Sequence, residues 1–355
     1  MSRGFRLAGY VALAYTLIIV YASLQPFAGW RAPPDEVLHF LTAAWPRYLT
    51  AGDIALNVIA YLPLGTLLFF ALRPPLAAAV ACVSAILIAA ALSLLLESAQ
   101  MFLPTRIASN VDLICNAAGA AAGALAAMLL TLWHNPLAAL RSRAVRADKL
   151  GDCGLLVVAL WIVGQVYPAP FTLGSGDLRD TLGVAPLYAH TSHSYLLAEA
   201  AVVGFTVITV GLLVTLLTQA RRYTLHALAL TLLLTLAVKS ISIILLGRAD
   251  NWLQWLTPGV ALGLAAGGIL LALLRWLAPT ARAVSAILCL VAGVVIVNLT
   301  PENPYQTLPA YLLSVQTTHL NNFSNIVRAV SKCWPFAALI LLAALARAGP
   351  ARGPR

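Results

Sequence analysis

Two short polar patterns recur in the first 120 residues. The first is Gln25, then Asp53 and Asn57; the second is Gln100, then Asp112 and Asn116. Each Gln closes an apolar run and each Asp-x-x-x-Asn opens the next. On a helix, residues four apart share a face, so Asp53 pairs with Asn57 and Asp112 with Asn116. Glu97 and Gln100, three apart, also share a face, and Arg106 follows in the next short loop. Three carboxylates, one guanidinium and four amides at helix ends could bind a cation or an amine, or move a proton in acid–base chemistry. Close carboxylates raise one another's pKa, and Arg106 could grip one of them bidentately. The same residues also fit a structural network. Asp at a helix start caps free amides and complements the helix dipole, and Asn bridges helices for about 0.6 kcal/mol on average in membranes.

The elements that must hold these groups are apolar. Of 355 residues, 61% are hydrophobic and 10% charged, with Lys and Arg outnumbering acids by 22 to 12. A soluble domain carries about 25% charged residues, so an aqueous fold is excluded. Apolar runs fall near 7–24, 54–72, 76–96, 111–132, 153–167, 197–217, 225–246, 257–276, 282–299 and 333–346. A spanning helix needs about 20 residues. The expectation is an all-α, polytopic transmembrane bundle of about ten spans. The fifth, ninth and tenth runs are short, and Pro335 is expected in the first turn of the tenth helix.

Charge placement sets the orientation. With the N-terminus inside, 14 of the 22 basic residues fall in cytoplasmic segments, seven in outer loops, and Lys239 inside a span. Only Asp148 and Asp152 among the acids fall inside. This positive-inside bias places both termini in the cytoplasm and the acid–amide–Arg residues on the outer side. The net charge of +10 is thereby a topology signal, and a nucleic-acid partner is not indicated. The first run follows Arg3 and Arg6 in the manner of a signal peptide but lacks a clear cleavage site, so an uncleaved span is expected.

Three parts follow: residues 1–135 with four spans, a basic linker at 136–152, and six spans in 153–355. Residues 132–152 carry Arg141, Arg143, Arg146 and Lys149, suited to a short amphipathic helix on an anionic leaflet. Ser23-Leu-Gln25-Pro-Phe27 matches Ser98-Ala-Gln100-Met-Phe102, which suggests that spans one and two are duplicated in three and four. Residues 35–49, with Leu38, Phe40, Leu41, Trp45 and Tyr48, suit either an interfacial segment or a loop anchored by aromatics.

The run Asp53-Ile-Ala-Leu-Asn57, then Tyr61-Leu-Pro-Leu-Gly65, Glu97-Ser-Ala-Gln100, Phe102-Leu-Pro104-Thr-Arg106 and Asp112-Leu-Ile-Cys-Asn116-Ala-Ala-Gly119 resembles the VanZ-like family over about residues 20–125. The resemblance implies a protein of the bacterial inner membrane, related to one associated with teicoplanin resistance, for which no reaction is established. Asn298-Leu-Thr-Pro-Glu-Asn-Pro-Tyr305, Asn321-Asn-Phe-Ser324 and Trp334-Pro-Phe336 are similar to VanZ-like chains with a C-terminal extension. The expected partners are membrane lipids and a lipid-linked envelope precursor held at Gln25, Asp53, Asn57, Glu97, Gln100, Arg106, Asp112 and Asn116. Enzyme, transporter or flippase, and scaffold all stay open, as does the oligomeric state.

Other signals are weaker. His190 and His193 are three apart, a metal-ligand spacing without a third ligand, so no metal is expected. No cofactor motif is visible. Lys239 should pair with an acid, Glu199 or Asp250, or with a carbonyl, or snorkel partway. The five cysteines are expected as buried small hydrophobes, with no disulfide framework. Asn298-Leu-Thr300 and Asn322-Phe-Ser324 fit a glycosylation pattern that a bacterial chain would not use.

Overall fold

A computed structural model of the chain describes all residues except 1–2, 25–26, 34–35, 46–50, 74, 133–140, 142, 167–170, 189, 248–251, 302–317 and 349–355. Among the described residues the protein is all-helical, with no strands. Ten long helices occur among the described residues, where ten apolar runs are expected. They are α1 (Arg3–Leu24), α2 (Ala51–Leu72), α3 (Ala78–Gln100), α4 (Asn110–Leu132), α5 (Lys149–Gly164), α7 (Ser192–Leu217), α8 (Arg221–Gly247), α9 (Pro258–Leu274), α10 (Pro279–Leu299) and α11 (Thr318–Ala348), with a single turn, α6 (Arg179–Leu182), between α5 and α7.

Among the described residues, six segments are long and apolar enough to cross a hydrocarbon layer: α3, Asn110–Thr131 of α4, α7, Arg221–Ile243 of α8, α10, and Val327–Ala348 of α11. Shorter apolar stretches are Val11–Leu24, Asn57–Leu72 and α9. At 16 residues α5 is about 24 Å long, less than the roughly 30 Å hydrocarbon thickness.

The chain divides into two compact units, Met1–Leu137 and Ala138–Arg355. In the first, α2 packs most extensively on α4, α3 lies against both, and α1 joins α2 and α3. Small residues explain the α2–α4 approach. A Cβ at Gly65 would overlap the Ala120 carbonyl; at Gly119, that of Val58; at Gly123, that of Leu62. Thr66 Oγ1 also donates to the Gly123 carbonyl at 3.1 Å. Hydrocarbon supplies no hydrophobic force between helices, so close packing at small residues must hold the pair. Phe40 is buried beyond α1, in a 3-10 turn at His39–Leu41, while Leu38, Leu41 and Trp45 are exposed. The described part of 35–49 thus forms a single turn within a loop.

In the second unit α7 is the central helix. It is buried nearly all round and touches α5, α8, α9 and α10. Gly263 and Gly267 of α9 lie directly on the α7 backbone at Ala200 and Gly204. Thr191 and Thr257 cap α7 and α9 through the Ser194 and Val260 N–H groups, at 3.1 and 3.2 Å. Asp148 caps α5 by accepting from the Gly151 N–H at 2.9 Å, and the Arg146 guanidinium grips the same carboxylate. The end of the basic linker is tied down within this unit: Arg146 N donates to Leu217 O and Gln219 N to Ala144 O, both at 2.9 Å. Asp152 forms an ion pair with Arg141.

The tenth helix departs from expectation. It begins at Thr318, so Pro335 lies in its interior rather than its first turn. Proline has no N–H for the carbonyl four residues back, at Ser331. The Gly176 N–H occupies that carbonyl at 3.0 Å. The helix continues through Pro335 because another segment satisfies the freed acceptor. Residues 171–176, which precede this contact, are buried yet not helical, and Leu173 and Gly176 take φ of 61° and 79°. Irregular backbone within a membrane protein is tolerated where protein covers it. The cysteines also differ from expectation: Cys82 and Cys115 are buried, but Cys153 and Cys333 are exposed, on outward faces of α5 and α11.

Candidate functional site

The C-terminal ends of α1 and α3 meet the N-terminal ends of α2 and α4. Ser93, Glu97 and Gln100 follow one face of α3 at helical spacing, and all three are buried. Opposite them, α4 presents Asp112 and the buried Asn116, and α2 presents Asn57 and the buried Tyr61.

Hydrogen bonds join the helices pairwise. Asn57 Nδ2 donates to Asp112 Oδ1 at 2.7 Å, tying α2 to α4. Asn116 Nδ2 donates to Ser93 Oγ at 2.9 Å, tying α4 to α3. Gln100 Nε2 donates to the Ser23 carbonyl at 3.0 Å and an Arg106 terminal nitrogen to the Ala22 carbonyl at 2.8 Å, tying α3 and its loop to α1. Tyr15 donates to the Ala60 carbonyl at 2.9 Å, tying α1 to α2. Glu97, only 4% exposed, accepts at Oε2 from the Ser109 N–H at 2.9 Å. Arg106 is 7% exposed. Burial lowers its pKa from the ordinary arginine value, and the nearby Glu97 carboxylate acts in the opposite sense.

Six of the eight expected site residues are therefore brought together: Asn57, Glu97, Gln100, Arg106, Asp112 and Asn116. Gln25 lies outside the described residues. Asp53 sits in the first turn of α2, but its side chain is not among those described. The capping assignment changes. Ser109, not Asp112, caps α4, its hydroxyl accepting from the Asp112 N–H at 3.4 Å. The Asp112 side chain is thereby available to face Asn57. The two pattern copies also differ in use, since Asn57 meets an acid and Asn116 a hydroxyl.

Ser93, Ser109, Tyr15 and Tyr61 were not anticipated. Ser93 was readable from its position four residues before Glu97, and Ser109 from the Ser-x-x-Asp spacing that marks helix starts. Gly65 and Gly119 sit inside the quoted motifs, and their role is the close helix approach described above.

In the second unit, Glu199 is 2% exposed and is hydrogen-bonded by Thr257. Asp250, the other expected partner of Lys239, lies outside the described residues. His190 packs against Tyr195, ring centroids 5.6 Å apart. Asn298 accepts from Leu178 N and donates to Gly176 O, each at 2.8 Å, and Trp334 donates to Val157 O at 2.8 Å. These described residues of the C-terminal motifs thus hold structure together, chiefly around the buried 171–179 segment. Arg179 is paired with Asp177 and donates to Thr300 O at 3.0 Å.

Among the described residues the protein is a polytopic helical membrane protein with a buried acid–amide–arginine network at one end of its four-helix unit. The VanZ/LLP1 family model matches residues 8–131, so the chain carries a domain of that family in its first unit. No curated protein and no solved structure matches the chain.

Proposed function

We propose that residues 1–135 form a site for the polar head of a lipid-linked or amphiphilic molecule of the bacterial cell envelope, and that 153–355 form an accompanying six-span membrane part. The observation that carries this reading is the burial of Glu97 and Arg106 among amides of α2, α3 and α4 and carbonyls of α1, at an end shared by apolar helices. Buried charge in a membrane bundle is costly, and a head group whose tail remains in lipid supplies a reason for it. The basic-residue bias supports an inner-membrane protein with this end facing outward. The family match supports a link to glycopeptide susceptibility.

The test is lipid profiling of the purified wild type and of Glu97→Gln. Glutamine keeps an acceptor for the Ser109 N–H, so the fold is expected to persist. A head-group class retained by wild type and lost by the variant is the expected result. Identical profiles together with lowered thermal stability would assign the cluster to structure alone.

A further inference from the structure

The network is lopsided in a way that constrains its ligand. Each amide in it points its NH2 group at the protein. Gln100 Nε2 is engaged by the Ser23 carbonyl, a group that can only accept, so this amide cannot be turned around. Asn57 Nδ2 is engaged by the Asp112 carboxylate and Asn116 Nδ2 by Ser93. The Ser109 N–H is on Glu97, and Arg106 reaches the Ala22 carbonyl. What the amides leave over is acceptor, and Arg106 is the cationic donor of the network. Gln100 Oε1 and Asn116 Oδ1 are buried with no donor among the described residues, their side chains 5% and 6% exposed. Glu97 and Asp112 add carboxylates, each able to accept several hydrogen bonds. A buried acceptor left without a donor carries its full desolvation cost, so two beside a buried acid form an unfilled demand for N–H or O–H.

Resting on the proposed head-group site, we propose that the group received between Glu97, Gln100 and Asn116 is a primary ammonium, carried by an amphiphile's head. An ammonium offers three donors and no acceptor, the complement of one carboxylate and two amide oxygens. Its charge offsets the burial of Glu97, and charge-assisted hydrogen bonds are about twice as strong as neutral ones. A phosphate or sugar-phosphate head would bring further acceptors to amides whose donors are already engaged, leaving Arg106 as its one cationic partner among the described groups of the network.

The experiment uses the full chain in detergent, titrated with phosphatidylethanolamine, phosphatidylglycerol or soluble ethanolamine. Binding is followed by native mass spectrometry and thermal unfolding. Phosphatidylethanolamine is expected to bind about tenfold or more tightly than phosphatidylglycerol, the scale of one charge-assisted contact. Glu97→Gln should remove that preference. Ethanolamine binding as well as the lipid would keep the ammonium and assign it to a soluble amine. Equal or tighter binding of phosphatidylglycerol overturns the inference, and so does an unchanged preference in folded Glu97→Gln. Should that variant not fold, the wild-type comparison decides alone. Lipid retained without amine preference defeats only the ammonium assignment; a folded chain that retains no lipid of any class defeats the head-group site as well.

Discussion

Asn57 donates to Asp112 across 55 positions of sequence, a side-chain bond that joins α2 to α4 at the polar end. Asn57→Ala should destabilise the chain by about 1 kcal/mol, the usual net effect of losing one hydrogen bond. Asn57→Asp should cost more, because two carboxylates would then face each other. Thermal unfolding in detergent ranks the three proteins, and a tolerance of Asp equal to that of Ala would contradict the pairing.

The α2–α4 crossing gives a second expectation. Gly119→Ala and Gly123→Ala each drive a methyl group into the facing backbone, which cannot swing aside as a side chain can. Overpacking of this kind costs about 1–3 kcal/mol or more. Gly9→Ala and Gly268→Ala meet nothing within 4 Å and should be neutral or slightly stabilising. Unfolding temperatures for the four variants should separate into these two pairs.

A third concerns Asp148 at the start of α5. Hydrogen bonding from Arg146 is the largest influence on its carboxyl; with the Gly151 N–H it outweighs burial and holds the pKa below the ordinary aspartate value. A folded-state pKa below the unfolded one contributes stability at pH above the unfolded value. That contribution is lost as pH falls through the lowered folded value. The side chain is 46% exposed, so screening limits the ion pair to at most about 1 kcal/mol. Asp148→Asn keeps an oxygen for Gly151 but not the charge. Its stability deficit should shrink as pH is lowered from about 7 to about 3. Asp148→Ala also loses the cap, about 1 kcal/mol, and should stay less stable throughout. Melting curves across that pH range check both statements.

A fourth expectation links Gly176 to Pro335. Gly176 has φ of 79°, and a Cβ there would lie 2.8 Å from Pro335 Cγ. Gly176→Ala should cost about 1–3 kcal/mol through strain and collision together. Pro335→Ala removes the ring, so the double variant should lose less than the sum of the singles. A double-mutant cycle on thermal stability measures the difference; strict additivity would mean that the collision contributes nothing.

The helices were legible because apolar runs of membrane length have few other uses. The site was legible in part, because Glu97, Gln100, Asp112 and Asn116 combine polarity with helical spacing inside such runs. Two things were not. The start of α11 at Thr318 lies in a polar stretch, Thr-His-Leu-Asn-Asn, which gives no hydrophobic cue. The partner of the Ser331 carbonyl, Gly176, lies 155 residues earlier, and no local pattern reports so distant a hydrogen bond. Asp112 shows the same limit on a small scale: a first-turn acid reads as a cap until Ser109 is seen to hold that position.

The backbone-to-backbone seam at Gly65, Gly119 and Gly123 also bears on how anything enters or leaves. Two rods locked at three glycines slide or tilt together, since prying them apart would forfeit the whole seam at once. α1, by contrast, is fastened at the polar end by three described bonds: Tyr15 to Ala60, Gln100 to Ser23 and Arg106 to Ala22. On the proposed head-group reading, the flank at α1 is the one held by separable side-chain bonds, with α2 and α4 standing as the fixed jamb.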